Sequence, residues 1–137
     1  MIQARGARNI VARMVDGEDL VEELLAIEVE SAAVLSGIGM VRNARLGYWN
    51  GVEYEERCIA EPVELVAMQG NIGSLGGKRI AHCHLTVGRR DGTVAAGHLL
   101  GATVVNTAEI VLGVLDGIAL ERKVEANGLA GLHPRSV

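Results

Sequence analysis

Short apolar stretches, each about a strand long and bounded by glycines or a charged turn, follow one another along most of the chain. "ARNIVARMV" reads as an opening strand and "SAAVLSGIGMV", "PVELVAMQGNI", "KRIAHCHLTVG" and "TVAAGHLLGATV" as later ones. "VVNTAEIVLGVL" reads as another strand, although its length leaves room for a short helix. Only "DGEDLVEELLAIEVE" changes period. Leu20, Leu24 and Ile27 form one helical stripe there, and Val21 and Leu25 widen it. Glu18, Asp19, Glu22 and Glu23 crowd the first turns, where the helix dipole favours negative charge.

Turn chemistry links these runs. "VRNARLGYWNGVEYEERC" predicts a hairpin around Asn50–Gly51, the preferred pair for a two-residue turn. That turn sets Trp49 opposite Val52, with Tyr54 its diagonal neighbour, and sets Arg45 opposite Glu56. All three aromatic residues lie in this hairpin, where they are expected to cover one end of the sheet; stacking on a ligand is the other reading. "GSLGGK" reads as a Gly-rich turn and "EANGLAGLHPRSV" as a tail. No repeat, linker or second domain is visible. The expected fold is α+β over one domain, residues 1–137: a mainly antiparallel sheet with one principal helix packed on one face.

Composition adds a core without bulk. Phe is absent and Trp occurs once, so Val, Leu, Ile and Ala must build the interior. The formal net charge is −4 and no block of Lys or Arg is present, which argues against a polyphosphate partner within one subunit. Arg5, Arg8 and Arg13 form a modest cluster, followed at once by Asp16, Glu18 and Asp19. No secretory signal is expected, and Asn106, Glu109 and Asp116 interrupt the apolar region 99–120, so no membrane span is expected either. Cys58 and Cys83 make neither a disulfide framework nor a paired metal motif. The plain expectation is a soluble cytoplasmic protein with reduced thiols.

The candidate chemistry lies in "HCHLTVGRRDGTVAAGH", residues 82–98, which holds three of the four histidines. Residues two apart on a strand share a face, so His82 and His84 project together with Ile80 and Thr86. Ala81, Cys83, Leu85 and Val87 face the other way, which removes Cys83 as a first-choice ligand. If Arg90–Asp91–Gly92 is a three-residue loop with glycine last, His98 stands directly opposite His84. A two-residue Asp91–Gly92 turn would instead throw His98 to the other face. In the first register three imidazoles form a triangle, a donor set suited to zinc with a fourth position free, or to another transition metal. The competing reading is three polar residues on an exposed or interface face. His133, in the tail, is left out of the site.

Val94, Ala96 and Leu100 accompany His98, while Ala95, Gly97 and Leu99 join the opposite face. One helix covers only one face of such a sheet, so another subunit is expected on the second.

The order "GEDLVEELL … VLSGIGMVRNARLGYW … ELVAMQGNI … HCHLTVGRRDGTVAAGHLLG … TAEIVL" resembles the plants-and-prokaryotes conserved (PPC) domain over about residues 8 to 132. The segment with His-x-His, then Asp-Gly, then Gly-His is that of its prokaryotic members. The resemblance implies an α+β unit with a central antiparallel sheet, assembled as a homotrimer, and a structural relation to acetolactate decarboxylase, a zinc enzyme with a similar His-x-His pair. It also implies that His82, His84 and His98 are metal ligands. Plant members carry an AT-hook of the "RGRP" type, which is absent here, and generally lack the three histidines. Cupins also begin a metal site with His-x-His, but they add a Glu where this chain has "LTVGRR".

The first functional expectation is therefore a small homotrimeric zinc-binding protein that binds, senses or acts on a small anionic ligand bearing a carboxylate or carbonyl. Glu109 is a candidate neighbour of the metal ligands or general base, with an interface salt bridge as the alternative. Arg42 and Arg45 could hold the anion, although ordinary ion pairs are expected of them. A DNA-binding regulator is the second reading, and an interaction module stapled by a structural metal the third. No nucleophile–base pair or phosphate loop is visible, so no reaction is assigned.

Overall fold

The computed structural model describes residues 1–137. Nine strands and one helix follow in the order β1 (Ile2–Arg5), β2 (Asn9–Val15), α1 (Leu20–Ala26), β3 (Ala32–Trp49), β4 (Tyr54–Ile59), β5 (Val63–Leu75), β6 (Lys78–Gly88), β7 (Val94–Val114), β8 (Ile118–Val124) and β9 (Ala130–Ser136). The fold is mostly antiparallel sheet with one short helix, consistent with α+β. β3 pairs with β5 and β7, and β6 pairs with the same two strands, so the four longest strands close into a ring. β1 and β2 extend the sheet beyond β7, β4 lies beside β3, and β8 joins β5 in parallel before turning back into β9.

Aliphatic side chains on the inner face make one core. Ile10, Met14, Leu65, Met68, Ile72, Leu85, Ile110 and Leu112 are fully buried in it. The helix adds Leu20 and Leu24 to the same cluster, and Ile27 follows just past its end. Asp19 caps α1 by accepting from Val21 N and Glu22 N at 2.9 and 3.0 Å, as an N-cap carboxylate should.

Two pairs of expected segments are single long strands, β3 and β7, because bulges absorb what reads as a break. Register shifts interrupt their pairing near Val34, Gly39, Arg42 and Arg45, and Asn43 and Asn106 take positive φ at 50° and 61°. The "GSLGGK" turn shrinks to the Gly76–Gly77 link between β5 and β6.

Two expectations are corrected. The residues read as a tail form β9, hydrogen-bonded to β8, because Arg135 pairs with Glu121 and His133 with Glu125 across a hairpin. The Trp49 hairpin has a four-residue loop, and Trp49 pairs with Tyr54 rather than Val52. Asn50 causes the shift: its Oδ1 accepts from both Val52 N and Glu53 N at 2.9 Å, which holds the wider loop. Arg45 consequently stands opposite Cys58, and its pairing with Glu56 is diagonal.

Candidate metal centre

The β6–β7 connection decides where His98 goes. Arg89 N donates to Thr93 O at 2.8 Å and Gly92 N to Arg89 O at 2.9 Å, closing a three-residue loop. Gly92 takes φ 85°, which favours glycine, and Asp91 accepts from Thr93 N at 2.9 Å and from Thr93 Oγ1 at 2.7 Å. Gly88 then faces Val94, and His84 faces His98 directly. The odd loop of the first register is the one present.

Cys83, Leu85 and Val87 are buried in the core, so His82, His84 and His98 share the outer face. Their ring centroids lie 4.9 to 5.4 Å apart. One nitrogen from each lies within 4.8 Å of the others. Nitrogens sharing one zinc ion stand about 3.4 Å apart, a contraction that small side-chain rotations supply. His98 Nδ1 is buried without a hydrogen-bond partner. A buried ring nitrogen in that state costs free energy unless something binds it, and the donor set fits a metal ion.

Electrostatics favour the neutral form of two of the imidazoles. Burial, reinforced by the Arg122 charge and the other two histidines, pushes His82 down to about 4. Burial also lowers His98, with His84 and Arg122 adding to the effect. Both rings are therefore neutral at pH 7, with a lone pair to offer. Burial pushes the Cys83 thiol up to about 11, so it stays protonated as well as facing away.

The structure surrounds the triad with residues that sequence reasoning assigned elsewhere or missed. The Tyr54 ring lies 5.1 Å from His98 and 5.3 Å from Trp49, so part of the aromatic cover reaches the histidines. Gln69 pairs with His84 and Asn71 with His82 across β5–β6, which puts both amides on the histidine face. Arg122 of β8 donates to Asn71 Oδ1 at 2.9 Å and to the Ala130 carbonyl at 2.9 Å. It is 8% exposed and has no carboxylate partner. The only hint of it in sequence is an arginine in step with Leu120 along "IALERKV", a signal too short to distinguish from a surface charge.

The other candidates lie apart from the triad. Glu109 is exposed on β7, opposite Arg13 of β2 and Ile38 of β3, beyond the bulges and roughly 35 Å of extended chain from His98. It is not among the residues grouped with the three imidazoles. Arg45 is held by Glu56 at 2.6 Å, the ordinary ion pair expected of it. Arg42 is exposed on β3 opposite Thr103. His133 pairs with Glu125 at 3.1 Å on the β8–β9 hairpin. No helix is long and apolar enough to cross a membrane.

Comparison with known proteins finds one family and several solved structures of similar fold. A family model described as the Plants and Prokaryotes Conserved (PCC) domain matches residues 1–116. The chain is similar to a plant- and prokaryote-conserved (PPC) protein of Pyrococcus horikoshii, with 30% identity, TM-score 0.87, and coverage of 99% of this chain and 97% of that one. It is similar to a metal-containing protein of Archaeoglobus fulgidus at 29% identity and TM-score 0.84, over 97% of this chain and 99% of that one. A Ralstonia eutropha protein described as a candidate for DNA binding shares 25% identity at TM-score 0.87, over 96% and 94% of the two chains. No curated protein matches the chain.

Proposed function

This chain belongs to the Plants and Prokaryotes Conserved domain family, and on that premise we propose that it is a zinc-binding protein that works as a homotrimer. In this reading His82, His84 and His98 hold the ion and leave a position for a small ligand bearing a carboxylate or carbonyl. The observation that carries it is the convergence of three imidazoles, one with a buried, unpartnered nitrogen. When bound, such an ion supplies Lewis-acid polarisation of a carbonyl or activation of water. The chain's own contribution is to hold the three rings converging, with His82 and His98 kept neutral by burial, and to flank them with Tyr54, Gln69 and Asn71. The metal-containing relative from Archaeoglobus fulgidus supports the reading. The trimer is supported by apolar residues about half exposed on the outer face: Val11, Leu35, Ile38 and Val66. Leu35, Ile38 and Val66 line one shallow groove there, a surface that a neighbouring copy would cover.

Elemental analysis of the purified protein, with its mass in solution, tests both parts. About one zinc per chain is expected in a particle three times the 14.4 kDa chain mass. His84→Ala, which removes the residue paired with His98 and adjacent to His82, should abolish metal binding. Full occupancy in that variant would sink the site assignment.

DNA binding is the second reading, favoured by the description of the Ralstonia eutropha relative. The charge of this chain opposes it. Arg5 is tied to the Glu28 carbonyl, and Arg13 donates to Thr107 Oγ1 at 3.2 Å, so two of the three N-terminal arginines have local partners.

A further inference from the structure

Arg122 presents a problem of charge. It is a nearly buried guanidinium, and the acceptors that hold it, an amide oxygen and a backbone carbonyl, are both neutral. A buried cation normally has an anionic partner, because desolvation without one is costly. Its side-chain acceptor, Asn71, is the cross-strand partner of His82, so the guanidinium stands on the histidine face of the sheet. A metal ion held by three histidines, with no anionic ligand, would be a second uncompensated charge beside it. Among the groups described around the triad, Tyr54, Gln69, Asn71 and the histidines themselves, none is a carboxylate. Arg45, another candidate for an anion, is already paired with Glu56.

We propose that Arg122 makes the three-histidine centre a receptor for a small carboxylate, held between the metal position and the guanidinium. The proposal rests on the metal reading above and deepens it by naming the ligand's charge and the residue that selects it. Arg122 has five N–H donors and spends two of them on Asn71 and Ala130, which leaves part of its planar fork to meet a carboxylate. Asn71 orients the fork, and the β8–β9 hairpin delivers it. Leu120 of β8 packs so closely over Gly73 of β5 that a Cβ there would overlap the Leu120 carbonyl oxygen. Arg122, two residues on, is therefore anchored over β5 by backbone contact rather than hung from a free loop. It lies outside the residues that the family model matches.

The test uses the full-length protein loaded with Co(II), whose visible spectrum reports both metal content and ligation, titrated with acetate and with neutral acetamide. The parent should bind acetate in preference to acetamide. Arg122→Met should weaken acetate binding by at least about tenfold, as expected on removal of a charge-assisted hydrogen bond. The same variant should hold Co(II) as tightly as the parent or tighter, because a like charge has been removed. A merely structural role for Arg122 would move both quantities downward together. Asn71→Asp gives a near-isosteric second variant that keeps the acceptor for Arg122 while supplying an internal carboxylate. It too should weaken acetate binding by at least about tenfold with metal content intact. Unchanged acetate affinity in the folded variants, or no acetate binding by the metal-loaded parent, overturns the role of Arg122. Failure of the parent to take up Co(II) at all overturns the metal reading instead.

Discussion

His82, Cys83 and His84 are consecutive, yet their environments are opposite because successive side chains leave a strand on opposite faces. The histidines meet His98 on the outside, while Cys83 is 1% exposed in the core. Cys83→Ser should accordingly leave metal content unchanged and destabilise the protein by about 1–3 kcal/mol, the cost of placing a hydroxyl in an apolar layer. Metal analysis and denaturant unfolding of one sample check both halves. Loss of metal with the fold intact would mean that the β6 register is wrong. In the folded parent a thiol reagent should label exposed Cys58 and spare Cys83, whose raised pKa and burial both suppress the thiolate.

At the scale of elements, the site depends on two connections that set register. The Asp91 carboxylate ties the β6–β7 loop through Thr93, and those hydrogen bonds hold it below its ordinary value near 3.8. The tie therefore stabilises the fold fully above about pH 3.8 and is lost as pH falls through the lower folded value. Asp91→Ala should lower the melting temperature at neutral pH, and the gap from the parent should narrow on the acid side of that range. A gap independent of pH would show that the carboxylate charge is not what orders the loop. The β5–β6 pairing makes a stricter demand at Gly70, where a Cβ would overlap the His82 carbonyl oxygen and crowd Cys83. Gly70→Ala must push the strands apart beside His82. It should cost at least about 1–3 kcal/mol in unfolding experiments and, on the proposed metal reading, weaken metal binding, since the same backbone carries His82. A variant with parental stability and metal affinity would refute that close approach.

Across the whole molecule, the acidic charge balance weighs against the DNA-binding reading. A trimer of chains at −4 each carries a formal −12, and tight non-specific DNA binding needs several uncompensated Lys or Arg per site. No binding of AT-rich or mixed duplex tighter than about 10⁻⁶ M is expected at physiological salt. Arg5, Arg8 and Arg13 of adjacent subunits offer the one route to a local basic patch. Titration of labelled duplex at two salt concentrations measures this directly. Nanomolar binding that survives physiological salt would put the DNA-binding reading first.

Features that depend on neighbours along the chain were legible before any fold was known. Alternation fixed the faces of β6, and the acidic start and apolar stripe located α1. Glycine at the end of Arg90–Asp91–Gly92 favoured the three-residue loop that sets His98 opposite His84, while a two-residue Asp91–Gly92 turn stayed open until the loop's hydrogen bonds were seen. Those are local rules of period and turn geometry, so three converging histidines could be named from seventeen residues. Where backbone irregularity enters, the reading by parity fails. Bulges near Arg42 and Arg45 reverse the alternation along β7, from Leu99 inward to Ala102 and Val104 inward, so the surroundings of Glu109 could not be reached by counting from His98. Asn50 widened its own loop by bonding two backbone amides, which moved Tyr54 opposite Trp49 and within 5.1 Å of His98. That Arg122 reaches the histidine face emerges only from how the strands pack. That contact joins β8 to β5 across residues 122 and 71, and no periodicity within either strand encodes a partner so distant in sequence.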